Sequence, residues 1–124
     1  MEFKEPHLKD EFRCCPILLR IIVEDAREYS LTQFGKDFTI TRILGRIKGD
    51  SGVHGDYRAV DVRDEHMGVR VFTDREVDEL LGYVNRKYAR RDTFKTLIHH
   101  SFNGGPRHFH FQIAALTTAY IRED

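Results

Sequence analysis

Apolar residues recur at helical spacing in two segments of the chain. The first begins after Pro16, which suits an opening helical turn, and ends at Gly35. The second begins at Thr73, which forms a capping-box pattern with Glu76, and basic residues gather at its C-terminal end. The pattern therefore predicts two amphipathic helices, with these residues on their apolar faces: Leu18, Ile22, Ala26 and Tyr29 in the first, and Val77, Leu80, Leu81, Val84 and Tyr88 in the second.

Four shorter segments are typical of β-strands, and they cover residues 38–44, 58–63, 95–100 and 108–113. The last two are joined by a turn rich in Gly and Pro, which predicts an antiparallel hairpin. The tail from Ala114 fits either a strand or a helix. Since helices and strands mix without strict alternation, we expect an α+β fold, a small antiparallel sheet with helices packed against it.

Composition and charge give no support for several classes of binding partner. The 124 residues carry 20 basic and 20 acidic side chains, so the formal net charge is zero, which offers no argument for nucleic acid or an anionic membrane as a partner. No apolar run nears the ~20 residues of a spanning helix, and the charged N-terminus lacks the apolar core of a signal peptide.

Cys14 and Cys15 are adjacent, a poor geometry for a disulfide. We expect one domain over 1–124, made in the cytoplasm, and the sequence does not indicate its oligomeric state.

Histidines are concentrated in the predicted strands and their turns. Side chains two apart on a strand share a face, so His108 and His110 project together, away from Phe109 and Phe111. Asp61 likewise lies on the polar face of its strand. Two His ligands and one Asp with an open fourth position suit a catalytic zinc ion. The plainer interpretation is a solvated polar face in which Asp61 forms a salt bridge.

The stretches GVHGDYRAVD at 52–61 and GPRHFHFQ at 105–112 resemble two motifs of the M15 zinc peptidases. GVHGDYRAVD at 52–61 is similar to the family's S-x-H-x-x-G-x-A-x-D signature, with Gly52 and Tyr57 in place of Ser and Gly. GPRHFHFQ at 105–112 resembles the closing strand that carries the last zinc ligand. The family includes D-alanyl-D-alanine dipeptidases and carboxypeptidases, and L-alanyl-D-glutamate endopeptidases of phage endolysins. The resemblance covers residues 16–113 and implies the fold shared by Hedgehog-type domains and D-Ala-D-Ala peptidases.

The resemblance also implies a role for individual residues. Zinc would be held by His54, Asp61 and His110, while His108, the first His of the HxH pair, would act as the base. Other branches of the family carry a carboxylate base where this chain has Arg107. Spacing alone leaves open that His108 is itself a ligand.

Further residues have weaker parallels in the family. Arg46 is the first candidate to hold the reacting carbonyl oxygen, and Arg42 is the second. His100 is a candidate for orienting the site, and His99 is expected on the opposite face. His7 and His66 are expected at the surface.

These expectations combine into a zinc-dependent peptidase that cleaves peptidoglycan stem peptides, with L-Ala–D-Glu endopeptidase activity preferred to D-Ala-D-Ala carboxypeptidase or dipeptidase activity. The alternative is a non-catalytic zinc-binding relative that acts as a binding module. A single domain without a signal peptide suits an endolysin that reaches the wall with the help of a holin, and equally a cytoplasmic enzyme that recycles wall fragments. A nucleic-acid-binding module using the cations near Arg86 is disfavoured by the balanced charge.

Overall fold

The computed structural model describes residues 1–43, 58–90, 94–101 and 104–113. Within these ranges the chain forms three helices and seven strands. The helices are α1 (His7–Cys14), α2 (Ile17–Phe34) and α3 (Asp74–Lys87). The strands are β1 (Glu2–Phe3), β2 (Thr39–Arg42), β3 (Ala59–Arg63), β4 (Glu65–His66), β5 (Val69–Arg70), β6 (Leu97–Ser101) and β7 (Arg107–Gln112). The α+β class is therefore confirmed, while the predicted tail from Ala114 lies outside the described residues.

Five of these strands form one sheet in the order β1-β2-β3-β7-β6. The pairs β2–β3, β3–β7 and β6–β7 are antiparallel, and the last of these confirms the predicted hairpin. The sheet is nevertheless mixed, because β1 pairs with β2 in parallel, so the expectation of an antiparallel sheet was wrong at this edge. The physical reason is the connection: α1 and α2 form the crossover that a parallel pair requires.

The ends of the two predicted helices are confirmed. Gly35 follows α2 with φ +68°, a left-handed conformation that costs glycine little, and its amide donates to the Leu31 carbonyl. At the start of α3, the Glu76 amide donates to the Thr73 hydroxyl over 3.1 Å, and the Thr73 amide donates to the Glu76 carboxylate over 2.9 Å. The two reciprocal bonds make the predicted capping box.

Apolar residues of the sheet and the helices pack into one core. Val60, Val62, Phe109 and Phe111 are completely buried, and all four belong to the same cluster as the apolar residues of the helices. Phe72, from the segment before α3, packs edge-on against Phe109 with ring centroids 5.2 Å apart. Because these side chains occupy one face of β3 and β7, the alternate residues of both strands must lie on the other face.

The two cysteines are free, as expected from their adjacency. Cys14 is exposed and Cys15 is buried. Burial raises the pKa of the Cys15 thiol to about 12, which keeps it protonated and unreactive at neutral pH. No helix in the described part of the chain has the length and apolar character needed to cross a membrane.

Candidate functional site

Strand register brings four ionisable residues together on the face of the sheet opposite the core. Asp61 on β3 lies directly opposite His110 on β7, and His108 on β7 lies opposite His100 on β6. We call Asp61, His100, His108 and His110 the polar-face cluster. The prediction that His108 and His110 share a face is confirmed, since Phe109 between them is buried in the core.

Asp61 and His110 are in direct contact although both are almost inaccessible to water. Asp61 is 4% exposed and His110 is 7% exposed, and the His110 Nδ1 atom lies 2.8 Å from the Asp61 Oδ1 atom. The other ring nitrogen, Nε2, lies 3.1 Å from Oε1 of Gln112. Both nitrogens of this imidazole therefore face oxygen atoms.

Gln112 presents a hydrogen-bond acceptor to one nitrogen of His110. Its side-chain amide nitrogen donates to the Lys95 carbonyl over 2.8 Å, and a carbonyl can only accept. The amide oxygen must then face His110, so Nε2 of the imidazole is the donor in that contact. The Nδ1 atom is left pointing at a carboxylate oxygen. Two such atoms 2.8 Å apart require a proton or a metal cation between them, because their lone pairs otherwise repel.

His108 borders this pair without bonding to it. Its Nε2 atom lies 3.7 Å from the Asp61 Oδ2 atom, while its Nδ1 atom is 3.3 Å from the Pro106 carbonyl oxygen. In a neutral ring, donation from Nδ1–H to that carbonyl leaves the free lone pair on Nε2. His108 can therefore accept a proton beside the Asp61–His110 pair, which is the geometry that a general base needs.

His100 completes the cluster on the edge strand β6. Its ring centroid lies 4.5 Å from that of His108 and 5.7 Å from that of His110. Its Nε2 atom is buried and has no hydrogen-bond partner among the described residues. Burial lowers the pKa of His100, and the neighbouring imidazoles lower it further, so the ring is neutral at pH 7. A neutral imidazole with a buried, unused nitrogen is suited to receiving a ligand or a water molecule.

His99 lies on the opposite face of β6, as expected. Its Nε2 atom is 2.7 Å from Oδ2 of Asp64, which is completely buried and also accepts from the Arg70 Nε atom over 2.7 Å. Sequence reasoning missed this cluster, because the charged residues from 63 to 66 are typical of a solvated turn. The exposed positions predicted for His7 and His66 are confirmed.

A cavity of about 320 Å³ opens beside the polar-face cluster. Asp61 and His108 line it directly, and Arg42 stands in β2 next to Asp61. The other described residues that line the cavity lie in or beside the strands β1 to β4, in the turn before β7 and at the start of β7: Lys4, Thr41, Arg63, Glu65, His66, Gly105, Pro106 and Arg107. Of the cluster, Asp61 and His108 thus border a small cavity lined by charged residues.

Part of the predicted site lies outside the described residues, namely His54 as a metal ligand and Arg46 as an oxyanion-stabilising group. Among the residues that are described, no group of three or more His, Cys, Asp or Glu side chains is arranged to hold a metal ion. The described part of the chain contributes Asp61 and His110, in contact, as two of the three predicted ligands.

Comparisons of the chain with protein-family models, with curated proteins and with solved structures found no match. Its function must therefore be inferred from the side chains of the site and from the motifs at 52–61 and 105–112.

Proposed function

We propose that this protein is a zinc-dependent peptidase that cleaves peptidoglycan stem peptides, with the L-Ala–D-Glu bond as its preferred target. The observation that supports this proposal is the Asp61–His110 contact, in which the imidazole Nδ1 atom and the carboxylate oxygen converge at 2.8 Å. The M15-type fold belongs to the same proposal. It is supported by the two motifs whose aligned residues, Asp61 and His110, are cross-strand neighbours.

The described donor atoms are of the types that zinc binds in proteins: the Nδ1 atom of the His110 imidazole faces a carboxylate oxygen of Asp61 at 2.8 Å. Gln112 would keep its contact with the Nε2–H of His110, the kind of outer hydrogen bond that orients a metal-binding imidazole. Asp61, His110 and His54 would hold the ion. Once bound, zinc would lower the pKa of a water molecule and polarise the substrate carbonyl.

His108 would carry out the proton transfer that the proposed reaction needs. Its Nε2 atom, unprotonated in the tautomer favoured by the Pro106 carbonyl, would take the proton of the attacking water. Its position on β7, two residues before His110, holds it rigidly beside the metal ligands. The core side chain Phe109 fixes the backbone of both histidines, because it is completely buried between them.

Metal content and peptide release from purified peptidoglycan test the proposal together. We expect about one zinc per chain in the wild type and fragments, identified by mass spectrometry, with new N-terminal D-Glu. His108→Ala should keep its zinc and melting temperature but lose roughly 10²–10⁴-fold in cleavage. His7→Ala is the matched control, because His7 is exposed on α1. Release of free D-Ala from the stem peptides would instead indicate carboxypeptidase activity, and hydrolysis of the free D-Ala-D-Ala dipeptide would indicate dipeptidase activity. Loss of zinc in His108→Ala would make His108 a ligand.

A second candidate function is a non-catalytic zinc-binding module of the same fold. It is favoured by Arg107, which stands where other branches carry a carboxylate base and approaches Glu65 at 3.9 Å. Stoichiometric zinc without peptide release from peptidoglycan would support this function over catalysis. An active enzyme would act at the cell wall as an endolysin assisted by a holin, or in the cytoplasm on recycled wall fragments.

A further inference from the structure

The described residues that line the cavity beside the polar-face cluster carry an excess of positive charge. Among them are four basic residues, Lys4, Arg42, Arg63 and Arg107, and two carboxylates, Asp61 and Glu65. This local excess stands out in a chain whose formal net charge is zero. Positive potential in a concave site attracts an anionic group of a ligand.

The two carboxylates have partners of their own. Asp61 contacts His110 at 2.8 Å, and Glu65 accepts from the Arg107 amide over 3.3 Å and approaches its Nε atom at 3.9 Å. No side-chain hydrogen bond or ion pair joins Lys4 or Arg63 to another described residue. Arg107 faces Glu65 and Arg42 has an interaction of its own, so the excess charge of the described lining is centred on Lys4 and Arg63.

Arg63 is the better placed of the two to bind a ligand directly. It is half-buried, whereas Lys4 is exposed, and its planar guanidinium can bind both oxygens of a carboxylate at once. It is the cross-strand partner of His108, and such partners have Cα atoms only about 4.5–5.5 Å apart. A group held by Arg63 would therefore lie beside the proposed base.

The surroundings of Arg63 favour a carboxylate over a phosphate. Asp61 and Glu65 belong to the same wall as Arg63 and lower the positive potential there, which disfavours a doubly charged phosphate group more than a singly charged carboxylate group. A volume of about 320 Å³ is at the small end of ligand sites, enough for one acidic residue of a peptide.

We propose that this cavity is a subsite for a carboxylate of the substrate, with Arg63 as its direct contact and Lys4 as a second source of positive charge. The inference deepens the proposed peptidase function and rests on it for the nature of the substrate. An acidic residue held at Arg63 would place its neighbouring peptide bond beside His108. The subsite would thus select acidic peptides over neutral ones.

Calorimetric binding of an uncleavable substrate analogue tests the subsite. The probe is N-acetyl-L-alanyl-D-glutamate with the amide NH between the residues replaced by CH₂, prepared as the diacid, both monoamides and the diamide. Zinc-supplemented wild-type protein should bind the diacid at least about tenfold more tightly than the diamide. Arg63→Gln should lose this preference, and the monoamide that binds as well as the diacid identifies the carboxylate. Arg75→Gln is the control, because Arg75 is 88% exposed on α3 and outside the cavity.

The inference would be overturned if the wild type bound diacid and diamide with equal affinity. It would also be overturned if inorganic phosphate displaced the diacid far more readily than acetate does at equal ionic strength. If Arg63→Gln melts well below the wild type, Lys4→Gln tests the subsite in its place, because Lys4 is exposed and its replacement should not disturb the fold. Lys4→Gln should weaken diacid binding about two- to fivefold and leave diamide binding unchanged. Diacid-selective binding without release of peptide from peptidoglycan would keep the subsite and remove the peptidase. Cleavage of acidic and amidated substrates at equal rates would support the peptidase and exclude the carboxylate subsite.

Discussion

Replacing Asp64 by Ala tests how the buried charge cluster on the core side of the sheet contributes to stability. The Asp64 carboxylate is completely buried and has three partners. It accepts from the Arg70 Nε atom over 2.7 Å and from the Phe72 amide over 2.8 Å, and it lies 2.7 Å from His99 Nε2. Removing it leaves an arginine, an amide and an imidazole without their common acceptor.

The expected cost follows from what each partner can do afterwards. Breaking a buried ion pair from one side typically costs 3–5 kcal/mol, because the remaining charge stays desolvated. The Arg70 side chain is 26% exposed and keeps a 3.1 Å contact with Asp74, so part of its loss is recovered through water. We therefore expect about 3 kcal/mol less stability, or a melting temperature lower by roughly 10–20 °C.

Asp74→Ala is the matched control, since this carboxylate binds the same arginine but is 91% exposed. An exposed pair contributes at most about 1 kcal/mol. Urea unfolding followed by far-ultraviolet circular dichroism, with linear extrapolation to water, measures both variants. Equal losses for Asp64→Ala and Asp74→Ala, or a loss below about 1 kcal/mol for Asp64→Ala, would refute the reasoning that burial makes the difference.

Three further outcomes are expected. Phe109→Ala should lower the free energy of unfolding by about 3–5 kcal/mol, because the ring is completely buried. Met67 is 87% exposed, so Met67→Ala should change this free energy little in the same urea assay. Similar losses for the two variants would contradict the assigned core. Chelation of zinc should lower the melting temperature of the wild type and leave Asp61→Ala nearly unchanged, and identical wild-type curves with and without chelator would count against a bridging metal. Although burial raises it, the pKa of Asp25 is held below its ordinary value by hydrogen bonds from Lys87, Tyr83 and Tyr88. Since the folded pKa is the lower one, this carboxylate stabilises the fold above its unfolded pKa of about 3.9 and stops doing so as the pH falls through the folded value. The stability difference between wild type and Asp25→Asn should therefore shrink from pH 7 to pH 3, and a pH-independent difference would show that the charge is not responsible.

Local patterns determined much of the fold. The capping box at Thr73 and the glycine at 35 set two helix ends, because both act through hydrogen bonds within a few residues. The alternation in the segments 58–63 and 108–113 determined which side chains enter the core, because a strand has a period of two. Strand β1 was missed because two residues are too short to show a period.

The composition of the candidate site was only partly accessible from the sequence. The face shared by His108 and His110 follows from their spacing. The resemblance to the family motifs predicted Asp61 as a zinc ligand together with His110. The role of Gln112 did not follow, since it depends on a contact with the Lys95 carbonyl across the sheet. The same is true of Asp64, whose charge is buried only because Arg70 and His99 converge on it.

The sequence by itself therefore determined α2, α3 and the strand faces, which depend on neighbours within a few positions, but it did not predict the short helix α1. Tertiary structure alone decided that β3 lies between β2 and β7, which puts Asp61 in contact with a histidine 49 residues away. It also decided that Arg63 faces a cavity shared with His108. The reason is that the pairing of distant strands is selected by the packing of the whole core, and no local pattern records it.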